Sequence, residues 1–267
     1  MSIPFKLFFW LSLALLPTAL IAQPARSAEL VVAVPVELSE CAGALSSAFL
    51  AGERGARLRM VIDTSENLYV KVSAGAPLDV YMTTHMGLQG QLLADGKMVY
   101  ESWTMYAVGR IVLWTLDPTL DVRKGIALLS RPVVKKVAIV DGGNAYLGPT
   151  YAALHHAGLL NAIKARLLHR DGMRSAVKAV QAGEAQLAIL SYETVLASSM
   201  RGVGRYYLIP ENEYRGEVSG HAAVVTMHGR SNRLAYRFVE FLKSAKAQAI
   251  LVPKGFMKPP PDMVDVR

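Results

Sequence analysis

Ser73-Ala74-Gly75-Ala76-Pro77-Leu78-Asp79-Val80 is the stretch on which the fold turns, because it stops a short helix and launches an apolar strand. Glu66 to Ala74 has helical spacing, Gly75 can take the left-handed conformation that closes a helix, and Pro77 cannot extend one. Upstream, strands are expected at 30–36 and 57–62, with a helix from Glu40 to Leu50 between them, Ser39 as its N-cap and Gly52 near its end. Downstream, 78–83 reads as a strand and 86–95 as a helix ending at Gly96. A longer apolar strand follows at 106–114, and the pattern then restarts. Strands are expected at 136–140, 186–190, 205–209 and 221–227, and helices from 147, at 173–182 and at 232–245. Such alternation predicts an α/β protein with helices on both faces of its sheets, in two lobes joined near 105–112 and 208–220.

Of the 267 residues, 52% are hydrophobic and 19% charged, enough apolar material for a buried core in each lobe. Lys6 followed by the apolar run Leu7 to Ala22, then small residues through Ala28, reads as a secretory signal peptide over residues 1–28. The mature chain is expected to start between Gln23 and Glu29, in the periplasm. The run falls short of the ~20 residues a spanning helix needs. Cys41, the only Cys, can form no internal disulfide and is expected as a buried free thiol. The net charge of +8 is spread along the chain without a basic run interleaved with aromatics, so nucleic acid is not an expected partner.

Few motifs carry chemistry. Ser175-Ala176-Val177-Lys178 has the spacing of a Ser-x-x-Lys nucleophile, but no Ser-Asp-Asn or Lys-Thr-Gly accompanies it. His155 and His156 point to different sides of a helix and make no zinc pair, and His85, His169 and His221 stand alone. Gly142-Gly143-Asn144 reads as a turn. No catalytic residue, metal site or cofactor is expected. What recurs is a loop-to-helix junction, at Val36–Ser39, Thr64–Glu66, Asn144–Gly148, Gly172–Arg174 and Leu190–Tyr192. Helix N-termini and neutral hydroxyls are the groups that hold a small anion best.

The order strand, helix, strand, Ser65-bearing loop, short helix, Ala-Gly-Ala-Pro-x-Asp-Val resembles the substrate-binding proteins of bacterial molybdate-type ABC importers, from about Glu29 to Phe256. The resemblance implies a two-lobed type II periplasmic binding protein with mixed sheets flanked by helices and a ligand cleft between the lobes. Lobe one would comprise 29–106 plus 213–267, and lobe two 107–212. The implied function is capture of a small oxyanion, molybdate or tungstate, by hinge closure, and delivery by a monomer to an inner-membrane ABC permease.

The same resemblance puts Ser65 and Tyr146 at ligand-binding positions, Met173 where a backbone N–H binds, and Ser191 where one branch of the family has a binding Tyr and another a Ser. It also exposes a departure, since Glu37 stands where the family has a binding Ser or Asn, and Pro35 removes a backbone donor. Glu37 therefore keeps open an alternative, the same fold binding a different small organic or cationic solute.

Overall fold

The computed structural model describes residues 28–141, 145–214, 217 and 219–264. The expected signal peptide and the Gly142–Asn144 turn lie outside these residues, Ala28 excepted. Among the described residues no helix is long and apolar enough to cross a membrane.

Ten strands form two five-stranded mixed sheets. The first contains β1 (Glu29–Pro35), β2 (Arg57–Asp63), β3 (Val80–Thr83), β4 (Thr104–Gly109) and β10 (Ser219–Val225), in the order β2-β1-β3-β10-β4. The second contains β5 (Ile111–Thr115), β6 (Val137–Val140), β7 (Leu167–Arg170), β8 (Leu187–Ser191) and β9 (Arg205–Leu208), in the order β7-β6-β8-β5-β9. In each sheet three neighbouring strands are parallel, and the fourth strand runs antiparallel to its neighbours. The two sheets thus share one topology, and each forms the centre of a lobe.

The helices lie between the strands: α1 (Ser39–Leu50), α2 (Ser65–Ser73) and α3 (Met86–Ala94) in the first lobe, and α4 (Leu147–His156), α5 (Leu160–Ile163), α6 (Met173–Gln181) and α7 (Tyr192–Leu196) in the second. The chain then returns to the first lobe with α8 (Arg233–Lys243) and α9 (Ala245–Leu251). Both faces of β1 are covered, which is why it reads as an unbroken apolar run. Leu30, Val32 and Val34 pack with α1 and α8. Val31 and Ala33 pack on the opposite face with Leu68 and Val72 of α2 and Leu92 of α3. In α8, Leu234, Ala235, Phe238, Val239 and Leu242 repeat at helical spacing and are all buried.

The fold-deciding octapeptide has a mechanical role. Gly75 closes α2 at φ +76°. Asp79, which is buried, accepts the Val31 N–H through Oδ2 at 2.7 Å while its own N–H donates to the Val31 carbonyl. Its carbonyl accepts the N–H of Thr226, just past β10. One side chain and its backbone therefore tie β1, β3 and the exit of β10 together.

Several expectations are corrected. The 106–114 strand is two strands in different sheets, because the backbone changes partner at Arg110: β4 pairs with β10, whereas β5 pairs with β8 and β9. Ser39 does not cap α1, since a 3-10 turn over Val36–Leu38 precedes it and Leu38 takes the N-cap position with no side-chain bond. Ser65 is the first residue of α2, and its N-cap is Thr64, whose Oγ1 accepts the Asn67 N–H at 3.2 Å. Strand β7, short and half-polar, and the separate helix α9 escaped the sequence pattern. Cys41 is buried and unpaired in α1, as expected, and burial pushes its thiol up to about 11.

Candidate functional site

The shared topology explains how candidate site residues far apart in sequence acquire a common setting. In an open α/β sheet, groups at the carboxyl ends of parallel strands face the crevice in which ligands bind. Glu37 follows β1 and Ser65 follows β2 in the first lobe; Tyr146 follows β6, Met173 follows β7 and Ser191 ends β8 in the second. Thr83, Thr84 and His85 complete the set at the end of β3.

On the first lobe, Ser65 lies at the start of the nine-residue α2, where helix geometry leaves the first N–H groups without an intrahelical acceptor. Thr64 takes that of Asn67, and the macrodipole makes the end electropositive. The Ser65 Oγ is buried and makes only long contacts, 3.5 Å each, to Thr83 Oγ1 and Thr84 Oγ1. The Ser65 carbonyl accepts from Tyr81 at 3.4 Å. Glu37 is half-buried, but its Oε2 is shut off from solvent and has no hydrogen-bond partner among the described residues. Burial raises its pKa, its own N–H opposes that, and the Glu66 charge adds to it. The Glu37 charge in turn acts on Tyr106 of the first lobe and on Tyr146 and Glu193 of the second.

On the second lobe the candidates are already engaged with protein. Tyr146 is buried, and its hydroxyl donates to Glu193 Oε1 and lies 3.0 Å from His221 Nε2 on β10. With the phenolic O–H directed at Glu193, His221 donates from Nε2, which leaves its buried Nδ1 an acceptor without a partner among the described residues. The rings of Tyr106, Tyr146 and Phe256 surround that imidazole, and burial lowers its pKa to about 3, so it is neutral. Glu193 is 7% exposed, and its Oε2 also lacks a partner. Burial pushes its carboxyl up to about 7, against the opposing pull of Tyr146, its own N–H and the nearby Ser191 hydroxyl, with Glu37 adding a further upward push.

Gly109 permits this arrangement, since a Cβ there would stand 2.2 Å from the Tyr146 hydroxyl oxygen. Ser191 is fully buried, with its Oγ 2.7 Å from Thr194 Oγ1, and its N–H reaches the Met173 sulfur at 3.4 Å. Met173 begins α6 without a side-chain cap, and it packs into both cores of its lobe.

Where the two lobes meet near α1 and α7, Glu40 accepts the Ser198 N–H at 2.7 Å and binds Lys254 at 3.0 Å. Ser198 and Lys254 hold the Glu40 carboxylate at about 2, well below its usual range. The neighbouring Arg110 guanidinium stacks 4.6 Å from the Tyr192 ring centroid.

Sequence reasoning missed Glu193 and His221. Glu193 resembles any acidic residue in the first turn of a helix, and His221 had no neighbour in sequence to mark it. The other candidates of the sequence fall elsewhere. His155 and His156 are solvent-exposed, His169 pairs with Asp141 at 2.7 Å, and His85 caps α3 through Nδ1. Ser175 bonds to Asp171 and the Gly172 carbonyl rather than to Lys178. Among the described residues no three His, Cys, Asp or Glu side chains are placed to hold a metal ion.

A family profile described as bacterial extracellular solute-binding protein matches residues 30–257, and the chain belongs to that family. It is 24% identical over 238 residues to the molybdate-binding protein ModA of Rhodobacter capsulatus, spanning 89% of this chain and 91% of that protein. It is 26% identical over 242 residues to the ModA of Azotobacter vinelandii, spanning 90% and 94%. The solved Azotobacter vinelandii periplasmic molybdate-binding protein superposes with a TM-score of 0.70 at 24% identity, covering 86% of this chain and 100% of that one. The fold is that of the two-lobed type II periplasmic binding proteins.

Proposed function

We propose that this extracellular solute-binding protein captures a small tetrahedral oxyanion of the molybdate or tungstate class between its lobes and delivers it to an inner-membrane ABC permease. The observation that carries this reading is the Ser65 hydroxyl at the electropositive start of α2, with no short hydrogen bond of its own, at the carboxyl end of a parallel strand. The likeness to molybdate-binding relatives along nearly the whole chain supports it. In this reading Ser65 donates its hydroxyl, Met173 and Ser191 offer backbone N–H groups, and Tyr146 and Glu37 border the anion.

The protein acts as a periplasmic monomer once its signal peptide is removed, and it makes and breaks no bond. The expected boundary at 106/107 falls inside β4, which stays in the first sheet to Gly109, so the two bodies that close on the ligand divide at the crossovers about Arg110 and between β9 and β10 and bend there.

A second reading, an organic or cationic solute in the same cleft, is favoured by the carboxyls of Glu37, Glu66 and Glu193 around one region. Thermal unfolding with a panel of oxyanions and small metabolites tests both. Ligand at ~100 times its dissociation constant stabilises the fold by about 2.7 kcal/mol. A shift with molybdate or tungstate is expected. A shift only with amines or polyols would replace the oxyanion reading by the second.

A further inference from the structure

We propose that Glu37 and Glu193 belong to the ligand site as neutral acids, so that this protein takes up a proton from solvent when it captures its oxyanion. The inference rests on the oxyanion reading above. Its basis is geometric. Two carboxyl oxygens, Glu37 Oε2 from the first lobe and Glu193 Oε2 from the second, are buried without a hydrogen-bond partner among the described residues, in residues that follow the carboxyl ends of the parallel strands β1 and β8. Glu193 is 7% exposed, so bulk water does not satisfy it. Buried polar oxygens are rarely left unpaired, and the carboxyl ends of parallel strands border the crevice in which ligands bind, so the partner is sought in what fills that crevice.

The chemistry restricts that partner. A carboxylate oxygen and an oxyanion oxygen are both acceptors, and a contact between them becomes a hydrogen bond only with a proton in between. Molybdate carries none at neutral pH, so the proton must come from water and remain on the carboxyl. Among the described residues, the groups whose charge is felt by or from Glu37 give it no other compensation: Glu66 from α2, Glu193 from α7, Tyr106 from β4 and Tyr146 before α4 are acidic or neutral. Behind Tyr146, His221 of β10 is neutral. Lys254, whose charge acts on the adjoining Cys41, is held by Glu40. Burial already shifts both carboxyls upward, in the direction that favours the protonated form in the complex.

Glu37→Gln and Glu193→Gln keep the shape while replacing the acid O–H by an amide donor that needs no proton. Titration calorimetry with sodium molybdate between pH 6.5 and 8.5, in buffers of different ionisation enthalpy, reads both affinity and protons exchanged. For the wild type, net proton uptake is expected. Affinity should fall about tenfold per pH unit for each proton taken up, once pH exceeds the carboxyl pKa. The double variant should bind with no uptake and a flat pH profile, and each single variant should lose part of the slope. Tight molybdate binding by wild type with no proton exchange and no pH dependence would overturn the inference while leaving the oxyanion reading intact. Absence of molybdate binding by wild type and variants alike, with native circular dichroism, would overturn that reading and this inference with it.

Discussion

The two lobes share a strand order but treat their strand ends in opposite ways. In the first lobe the polar groups at the cleft are under-satisfied: Ser65 Oγ reaches only hydroxyls at 3.5 Å, and Glu37 Oε2 reaches nothing. In the second, Tyr146 is tied to Glu193 and His221, Ser191 to Thr194, and the Ser191 N–H to the Met173 sulfur. The difference teaches that one topology can build two kinds of binding wall. The first is prepared for a ligand, because its donors lose no good bond on binding. The second is held by a network that reaches across to His221 of the first sheet, and a ligand must compete with that network or use what it leaves over, such as Glu193 Oε2.

The strongest way to break this comparison is Gly109→Ala. A Cβ 2.2 Å from the Tyr146 oxygen must displace the ring from its place against Glu193 and His221, and overpacking of this kind costs about 3 kcal/mol. Urea unfolding should show that loss. A variant as stable as wild type would mean that the Tyr146 network is loose, and the contrast between the lobes would fall.

Serine substitutions sharpen the contrast. Ser65→Ala should weaken oxyanion binding by about 1.5–3 kcal/mol, the worth of a hydrogen bond to a charged group, or roughly ten- to a hundredfold. Ser191→Ala should cost less in affinity, because its hydroxyl is already committed to Thr194, and should instead lower stability by about 1 kcal/mol. Calorimetry and urea midpoints on both variants decide this, and the reverse ranking would make the second lobe the principal binding wall.

A pH profile of stability tests the inter-lobe network without any ligand. Glu193 has a folded pKa of about 7, above its ordinary 4.5, so its contribution is full below about 4.5 and is lost as pH rises through 7. His221 is the opposite case, with a folded value of about 3 below its ordinary 6.5, so its contribution is present above 6.5 and is lost as pH falls toward 3. Between pH 4.5 and 6.5 the two slopes oppose each other. Glu193→Gln removes the falling slope, so its urea midpoint at pH 7 relative to pH 5 should be higher than the same ratio for wild type. An unchanged ratio would show that Glu193 is not buried as a neutral acid.

The smallest effect concerns the helix ends themselves. Thr64→Ala should destabilise the first lobe by about 1 kcal/mol through loss of the bond to the Asn67 N–H. The equivalent α6 has Gly172 at its N-cap and no side-chain cap, so this helix has no corresponding group to lose. Hydrogen exchange confined to α2 in the variant would localise the effect.

Much of this architecture was legible from sequence. Residues 73–80 marked the end of α2 and the approach to β3 because Gly and Pro act through their own backbone, independently of the rest of the chain. The strand and helix alternation, the buried thiol of Cys41 and the junctions bearing Glu37, Ser65, Met173 and Ser191 followed from local pattern or from resemblance in the same way. The run at 106–114 is interrupted by Gly109-Arg110, but one such pair does not by itself end a strand, and it is the choice of pairing partner that divides the run. Nor could sequence assemble Tyr146, Glu193 and His221, which are 47 and 75 residues apart along the chain from Tyr146 and meet only where the lobes join. Local backbone chemistry therefore determined which elements form. Tertiary structure alone decided which buried acids and hydroxyls share a dry space, because pairing and desolvation depend on neighbours brought together by folding rather than by sequence.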